Sequence, residues 1–156
     1  MSQVLPPLEP AMRIDLVTLF PEMIRHAAGF GVTGRALDRG LWTLGVWNPR
    51  DFTTDLHRTI DDRPYGGGPG MVMMAAPLEQ ALRAAKSAQE AAGIACTWTI
   101  YLSPAGKPLT HARVLDLARQ PNAGYVLLAG RYEGVDERLV EGHVNEEIAI
   151  GDFVVS

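Results

Sequence analysis

Apolar and polar positions along this chain alternate between two rhythms, one of strand type and one of helix type. MRIDLVTLF (12–20) sets Ile14, Leu16 and Leu19 among β-favouring neighbours, and Pro21 then opens PEMIRHA as a helix start. TGRALDRG, with a capping-type Thr33 and two stop-type glycines, predicts a short helix, and LWTLGVWN predicts a second strand ending at Pro49. Pro77 starts a long helix through PLEQALRAAKSAQEAAG, in which Leu78, Ala81, Leu82 and Ala85 share one face and Gly93 is the stop. TWTIYLS then reads as strand, HARVLDLAR as helix, YVLLAG as an almost wholly apolar strand, VDERLVEGH as helix and EIAIGDFVVS as strand. This alternation predicts an α/β fold, a mostly parallel sheet with helices on both faces. Residues 51–70 break the rhythm: they are loop-like, charged at HRTIDDR and glycine-rich at PYGGGPG. So long an irregular stretch in a compact domain points to a functional loop or to disorder.

Composition narrows the class. A chain of 156 residues suits one domain, since about 150 residues bury roughly 70% of their unfolded surface. Its 47% hydrophobic and 21% charged residues disfavour disordered and fibrous classes. The net charge of -4 argues against binding nucleic acid by bulk charge and leaves local basic patches open. One cysteine, Cys96, can form no internal disulfide; it reads as an inert core thiol and points to the reducing cytosol, so a cytoplasmic location is expected. Apolar runs fall short of the about 20 residues that a membrane span needs, so no membrane partner is expected. Residues 1–11 lack the basic-then-apolar layout of a secretion signal and read as an N-terminal extension.

In parallel α/β sheets, ligands bind outside the carboxyl ends of the strands, and three such ends carry unusual loops: YLSPAGKP, AGRYEGVD and IGDFVVS. They should lie side by side. Gly106, Gly130, Gly134 and Gly151 allow close backbone approach to a ligand, for which a small polar cofactor is the natural class. GRYEG adds a cation, an aromatic plate and a carboxylate through Arg131, Tyr132 and Glu133. The run Gly66-Gly67-Gly68-Pro69-Gly70 lacks the spacing and the Lys-Ser/Thr of a P-loop, and no dinucleotide fingerprint is present. His26, His57, His111 and His143 have no metal-ligand spacing, so no metal site is expected from them. Arg58, Asp61, Asp62 and Arg63 read either as a solvated face with local ion pairs or as a cation-bearing flap over a nucleic-acid site.

Six segments carry a resemblance: LFPEM (19–23), GVTGRA (31–36), HRTIDDRPYGGGPGM (57–71), YLSPAGKPL (101–109), GRYEGVDER (130–138) and IGDFVVS (150–156). Together they resemble the bacterial tRNA (guanine-N1)-methyltransferase family, TrmD, of the SPOUT methyltransferase class, from about Met12 to Ser156. The resemblance implies a sheet whose C-terminal part forms a trefoil knot. It also implies S-adenosyl-L-methionine as methyl donor, N1 of the guanosine 3′ of a tRNA anticodon as acceptor, and a homodimer with its sites at the interface. Cofactor contacts are implied at Tyr101, Leu102, Ser103 and Pro104, at Gly130, Tyr132, Glu133 and Gly134, and at Ile150, Gly151, Asp152, Phe153, Val154 and Val155. His57, Arg58, Asp61 and Arg63 would belong to a flap over cofactor and tRNA.

N1 of neutral guanine carries a proton, so a base should remove it while the methyl group is held in line for attack. The resemblance puts that base, an aspartate, beyond Ser156. It leaves Glu133 a supporting part at the cofactor's methionine end, together with a magnesium requirement. The domain reading is therefore an extension over 1–11, a methyltransferase domain over 12–156 cut within the knot, and no C-terminal tRNA-binding domain. The alternative is a non-catalytic fragment that binds cofactor or RNA.

Overall fold

The computed structural model describes residues 12–155, so the 1–11 extension and Ser156 of the last motif lie outside the described residues. In chain order the elements are β1 (Met12–Val17), α1 (Pro21–Ala28), α2 (Gly31–Asp38), β2 (Trp42–Trp47), a 3-10 turn (Pro49–Phe52), β3 (Asp61–Asp62) and β4 (Val72–Met73). There follow α3 (Ala75–Ala91), β5 (Cys96–Pro108), α4 (His111–Ala118), β6 (Ala123–Ala129), α5 (Glu137–His143) and β7 (Glu146–Ala149). Five strands pair in parallel in the order β2-β1-β6-β5-β7, while β3 and β4 form a separate antiparallel pair. The expected mostly parallel sheet is present, and because its strands run one way, all their carboxyl ends lie along one edge.

Helices cover both faces, and the alternation along each strand decides which residue meets which cover. Val17, Val126, Leu128 and Tyr101 face α3 and α5, packing with Leu78, Ala81, Leu82, Ala85, Leu139 and Val140. The α3 members are the face that helical spacing predicted, all buried. On the other face Ile100, Tyr125 and Ile148 meet Leu117 of α4. The central strand β6 is near-continuously apolar, as suits a strand covered on both faces, and Gly124, Tyr125, Val126 and Leu128 are buried.

One buried charge ties these layers together. Asp15, fully buried in β1, accepts from Arg13 Nε (2.8 Å), from Trp47 Nε1 of β2 (2.8 Å) and from Gln89 Nε2 of α3 (2.8 Å). Gln89 also donates to the Tyr125 carbonyl of β6 (3.0 Å) and accepts from Thr97 Oγ1 of β5 (2.7 Å). Burial alone would raise the pKa of Asp15, but the hydrogen bonds from Arg13, Trp47 and Gln89 outweigh it and hold the carboxyl below its ordinary value.

Four local expectations are refined or corrected. Residues 51–70 are irregular as expected, apart from the end of the 3-10 turn and β3, but they are tied to the fold rather than disordered: Ile60 is buried in the core, its carbonyl accepts from Met74 N (2.8 Å), and Asp61 pairs with Met73. The third helix begins at Ala75, two residues before Pro77; proline is tolerated there because the N–H groups of a helix's first turn have no intrahelical acceptor, so its missing donor costs nothing. The last strand ends at Ala149, so Ile150 to Val155 run as irregular backbone with Ile150, Phe153, Val154 and Val155 exposed. Cys96 is exposed, since it opens β5 at the end of the sheet rather than within it.

The depressed carboxyl of Asp15 gives a sign to the pH dependence. Its contribution is present above the unfolded carboxyl value of about 4 and is lost as pH falls through the lower folded value. We expect Asp15→Ala to cost about 3–5 kcal/mol at neutral pH, because three donors lose a buried acceptor. Urea midpoints compared between pH 7 and pH 3 should converge for parent and variant as the pH falls. A gap that stays constant would contradict the ionised assignment.

Candidate functional site

The carboxyl-end edge gathers loops from all five strands. After β1 the chain turns at Thr18, whose N–H donates to the Trp47 carbonyl (2.9 Å) and whose Oγ1 accepts from Phe20 N (3.2 Å). β1 and β6 are neighbours at the point where the connections leave in opposite directions, β2 lying to one side and β5 and β7 to the other. That is the switch point at which doubly wound sheets open a crevice. A cavity of about 390 Å³ lies there, lined by Leu19, Phe20, Arg50, Gly130, Arg131, Tyr132, Glu133 and Val155. A second of about 300 Å³ adjoins it, sharing Phe20, Gly130, Arg131 and Val155 and walled by Leu102, Ser103, Pro104, Ile148, Ile150, Gly151 and Phe153.

The three loops singled out in the sequence do meet, but β5 supplies its part in an unforeseen way. It does not end at Ser103. Leu102 and then Lys107 both pair with Ile148, so residues 103–106 bulge out of one continuous strand that rejoins β7. Ser103 Oγ accepts from Ala105 N (3.2 Å) within the bulge. Gly106 makes the rejoining possible: a Cβ there would stand 2.5 Å from the Glu147 carbonyl carbon and the Ile148 nitrogen.

The loop after β6 is held from behind. Tyr101 sits beneath it, 8% exposed, so close that a Cβ on Gly130 would come within 3.0 Å of its ring. Burial, followed by the charge of Glu147, pushes the Tyr101 phenol up, so it stays protonated. Its side chain belongs to the core rather than to the cavity walls. Tyr132 adopts a left-handed conformation (φ 59°) and is half exposed, while the Arg131 guanidinium stands 5.1 Å from the Phe20 ring centroid.

The edge has a chemical gradient. Leu102, Ile148, Ile150 and Phe153 make one end apolar; Arg50, Arg131, Tyr132 and Glu133 make the other polar and aromatic. Neither Arg50 nor Arg131 has a carboxylate within ion-pair distance among the described residues. Such a trough fits a ligand with a flat apolar body and a charged polar end. It fits a magnesium ion poorly, since Glu133 is the one carboxylate lining it and its Oε2 already accepts from Met71 N (2.7 Å).

Other expected residues stand apart. Asp152 and Val154 are exposed and outside both cavity walls. Gly134 (φ 134°) serves as a bend of the loop, with the Tyr101 hydroxyl 3.5 Å from where its Cβ would be. His57 and Arg58 are exposed, and Arg58 is taken up by an ion pair with Asp51 and a bond to the Arg50 carbonyl (3.1 Å). Arg63 lines a different and larger cavity, about 480 Å³, between the β3–β4 pair and helices α3 and α5. Its walls are occupied by internal pairs, Asp136 with Arg138 and Glu79 with Arg83 and His143.

Sequence reasoning gave no role to Phe20 or Arg50. Both follow a strand's carboxyl end, so the rule applied to three loops would have found them if applied to β1 and β2 as well.

The comparisons with known proteins agree in kind. A family model described as tRNA (Guanine-1)-methyltransferase TrmD matches residues 12–156. A tRNA (guanine-N(1)-)-methyltransferase of Chromobacterium violaceum is 59% identical over 145 residues, which is 93% of this chain and 56% of that relative. One from Burkholderia multivorans is 57% identical over 148 residues, 95% of this chain and 55% of the relative. The chain thus spans about half the length of the curated relatives it matches.

Gly106→Ala tests the bulge. We expect a loss of about 1–3 kcal/mol in stability through the β5–β7 contact, by analogy with overpacked interiors, read as a lowered denaturation midpoint. An unchanged midpoint would mean that β7 does not depend on the rejoining strand.

Proposed function

The chain belongs to the tRNA (guanine-1)-methyltransferase family, and from that premise we propose that it uses the sheet-edge trough to hold S-adenosyl-L-methionine for methylation of N1 of a guanosine in tRNA. The observation that carries this reading is the meeting of the β5, β6 and β7 loops at the β1/β6 switch point, apolar at one end and charged at the other. Leu102, Ile148, Ile150 and Phe153 would take the adenine, whose polar edges are within reach of exposed loop amides. Arg131, Tyr132 and Glu133 would stand at the amino-acid end. The bound group supplies an electrophilic methyl on a sulfonium centre.

What the protein's own residues do is orient and exclude. The bulge 103–106 and the loop 130–134 are pinned by backbone contacts, so a ligand between them loses its freedom to rotate before any reaction. Arg50 and Arg131, cations without carboxylate partners among the described residues, attract the phosphates of an approaching RNA strand. His57, Arg58, Asp61 and Arg63 would join the RNA-facing side through the segment that follows. Removal of the N1 proton falls to a base outside the residues described, with Glu133 in support.

We further propose a homodimer. Phe20, Met23, Phe153 and Val155 line the trough and are large apolar side chains left exposed there, which suits burial against a second copy. No helix among the described residues is long and apolar enough to cross a membrane.

Calorimetric titration with S-adenosylhomocysteine, followed by methyl transfer to tRNA, tests the reading. Saturable binding with ATP unable to compete supports it. Binding without transfer points to a cofactor- or RNA-binding unit, and no binding sinks the proposal. Gly130→Val should weaken binding by at least roughly tenfold, since the added methyls must displace either Tyr101 or the loop. Unchanged affinity would remove the β6 loop from the site.

A further inference from the structure

The glycine-rich segment and the ligand loop are one mechanical unit. Their backbones run side by side over a short stretch: Glu133 N donates to the Met71 carbonyl (3.0 Å), Met73 N to the Gly134 carbonyl (2.9 Å) and Asp136 N to the Met73 carbonyl (3.1 Å). Met73 and Val135 form a parallel bridge, and both are buried. Arg131 N also lies 3.3 Å from Met73 Sδ. The outermost bond of this set is the only one made by a side chain that also lines the trough, the Glu133 carboxylate accepting from Met71 N (2.7 Å).

We propose that Glu133 is a positioning residue: it latches the segment 66–71 to the loop 131–134 and thereby couples RNA-side and cofactor-side surfaces. Gly70 is cut to this contact. It has φ 87°, and a Cβ there would fall 2.5 Å from Glu133 Oε1, so only glycine lets the carboxylate reach the next amide. Tyr132 is strained in the left-handed region and is held there by bonds on its C-terminal side, the nearest being those between Glu133 and Met71, the latch among them. Movement of the glycine segment therefore reaches the aromatic that faces the trough. The latch stands on geometry alone, whereas its coupling role rests on the methyltransferase reading above.

The two parts are tested separately. Amide exchange of the ligand-free 156-residue chain, followed by NMR, should show Met71 N–H exchanging roughly tenfold to a hundredfold faster in Glu133→Ala and in Gly70→Ala. Glu133→Gln, whose carbonyl oxygen can still accept, should recover most of the protection. Equal protection in parent and Glu133→Ala overturns the latch. A gain that Glu133→Gln does not recover also overturns it, because the oxygen would then not be the relevant group.

For the coupling, S-adenosylhomocysteine affinity should fall in both single variants and fall no further in the double variant, since both changes break one contact. Additive losses overturn the coupling and leave Glu133 only its place at the amino-acid end of the ligand. A parent that binds no S-adenosylhomocysteine overturns the methyltransferase reading and the coupling with it, while the exchange data still decide the latch.

Discussion

The sheet is assembled around a carboxylate that has no access to water. Asp15 alone, in a parallel sheet under a helix, would be too costly to ionise. It is tolerated because donors from β1, β2 and α3 converge on its two oxygens, and because Gln89 passes the network on to β6 and β5. Every large-sheet strand except β7 is thus referenced to one point. Gly45 and Gly124 flank it without side chains, because a Cβ at either would strike Asp15 or Gln89. A fully apolar core could be as stable, but it would not fix the stagger of neighbouring strands in the same way.

That stagger matters at the other end of the strands. The trough is made from the ends of β1, β6, β5 and β7 with Arg50 after β2, so a slip of one strand would move a wall of it. β7 is the strand outside the Asp15 network, and it is secured differently, by being paired twice to β5 on either side of the 103–106 bulge. The same bulge that secures β7 also brings Ser103 and Pro104 into the wall of the trough. Stability and site construction share one irregularity there, as bulges next to functional sites often do.

Much of this was legible in advance. Leu78, Ala81, Leu82 and Ala85 announced the buried face of α3, and the strand-helix alternation announced a parallel sheet with loops meeting at one edge. The glycine run 66–70 and the GRYEG loop were each visible as unusual. Their attachment to one another was not, because it depends on backbone amides of Glu133 and Met73 that any residue could supply. Gln89 was hidden for a similar reason. On a helix otherwise read through its small apolar positions, a polar residue at the right spacing looks like surface until its partners are known.

By itself the sequence determined the helices and the five strands of the large sheet in their order, though not all their ends, together with the layer architecture and the short list of chemistry-bearing loops. These follow from local periodicity and from residue types whose backbone preferences travel with them. Only the tertiary structure decided the strand order β2-β1-β6-β5-β7, the rejoining of β5 with β7, the placing of Phe20 and Arg50 in the trough and the engagement of Glu133 with Met71. Each of these joins residues far apart in the chain through shape and hydrogen-bond geometry. Such pairings carry no local signature, because the free energy that selects them exists only once both partners are in place.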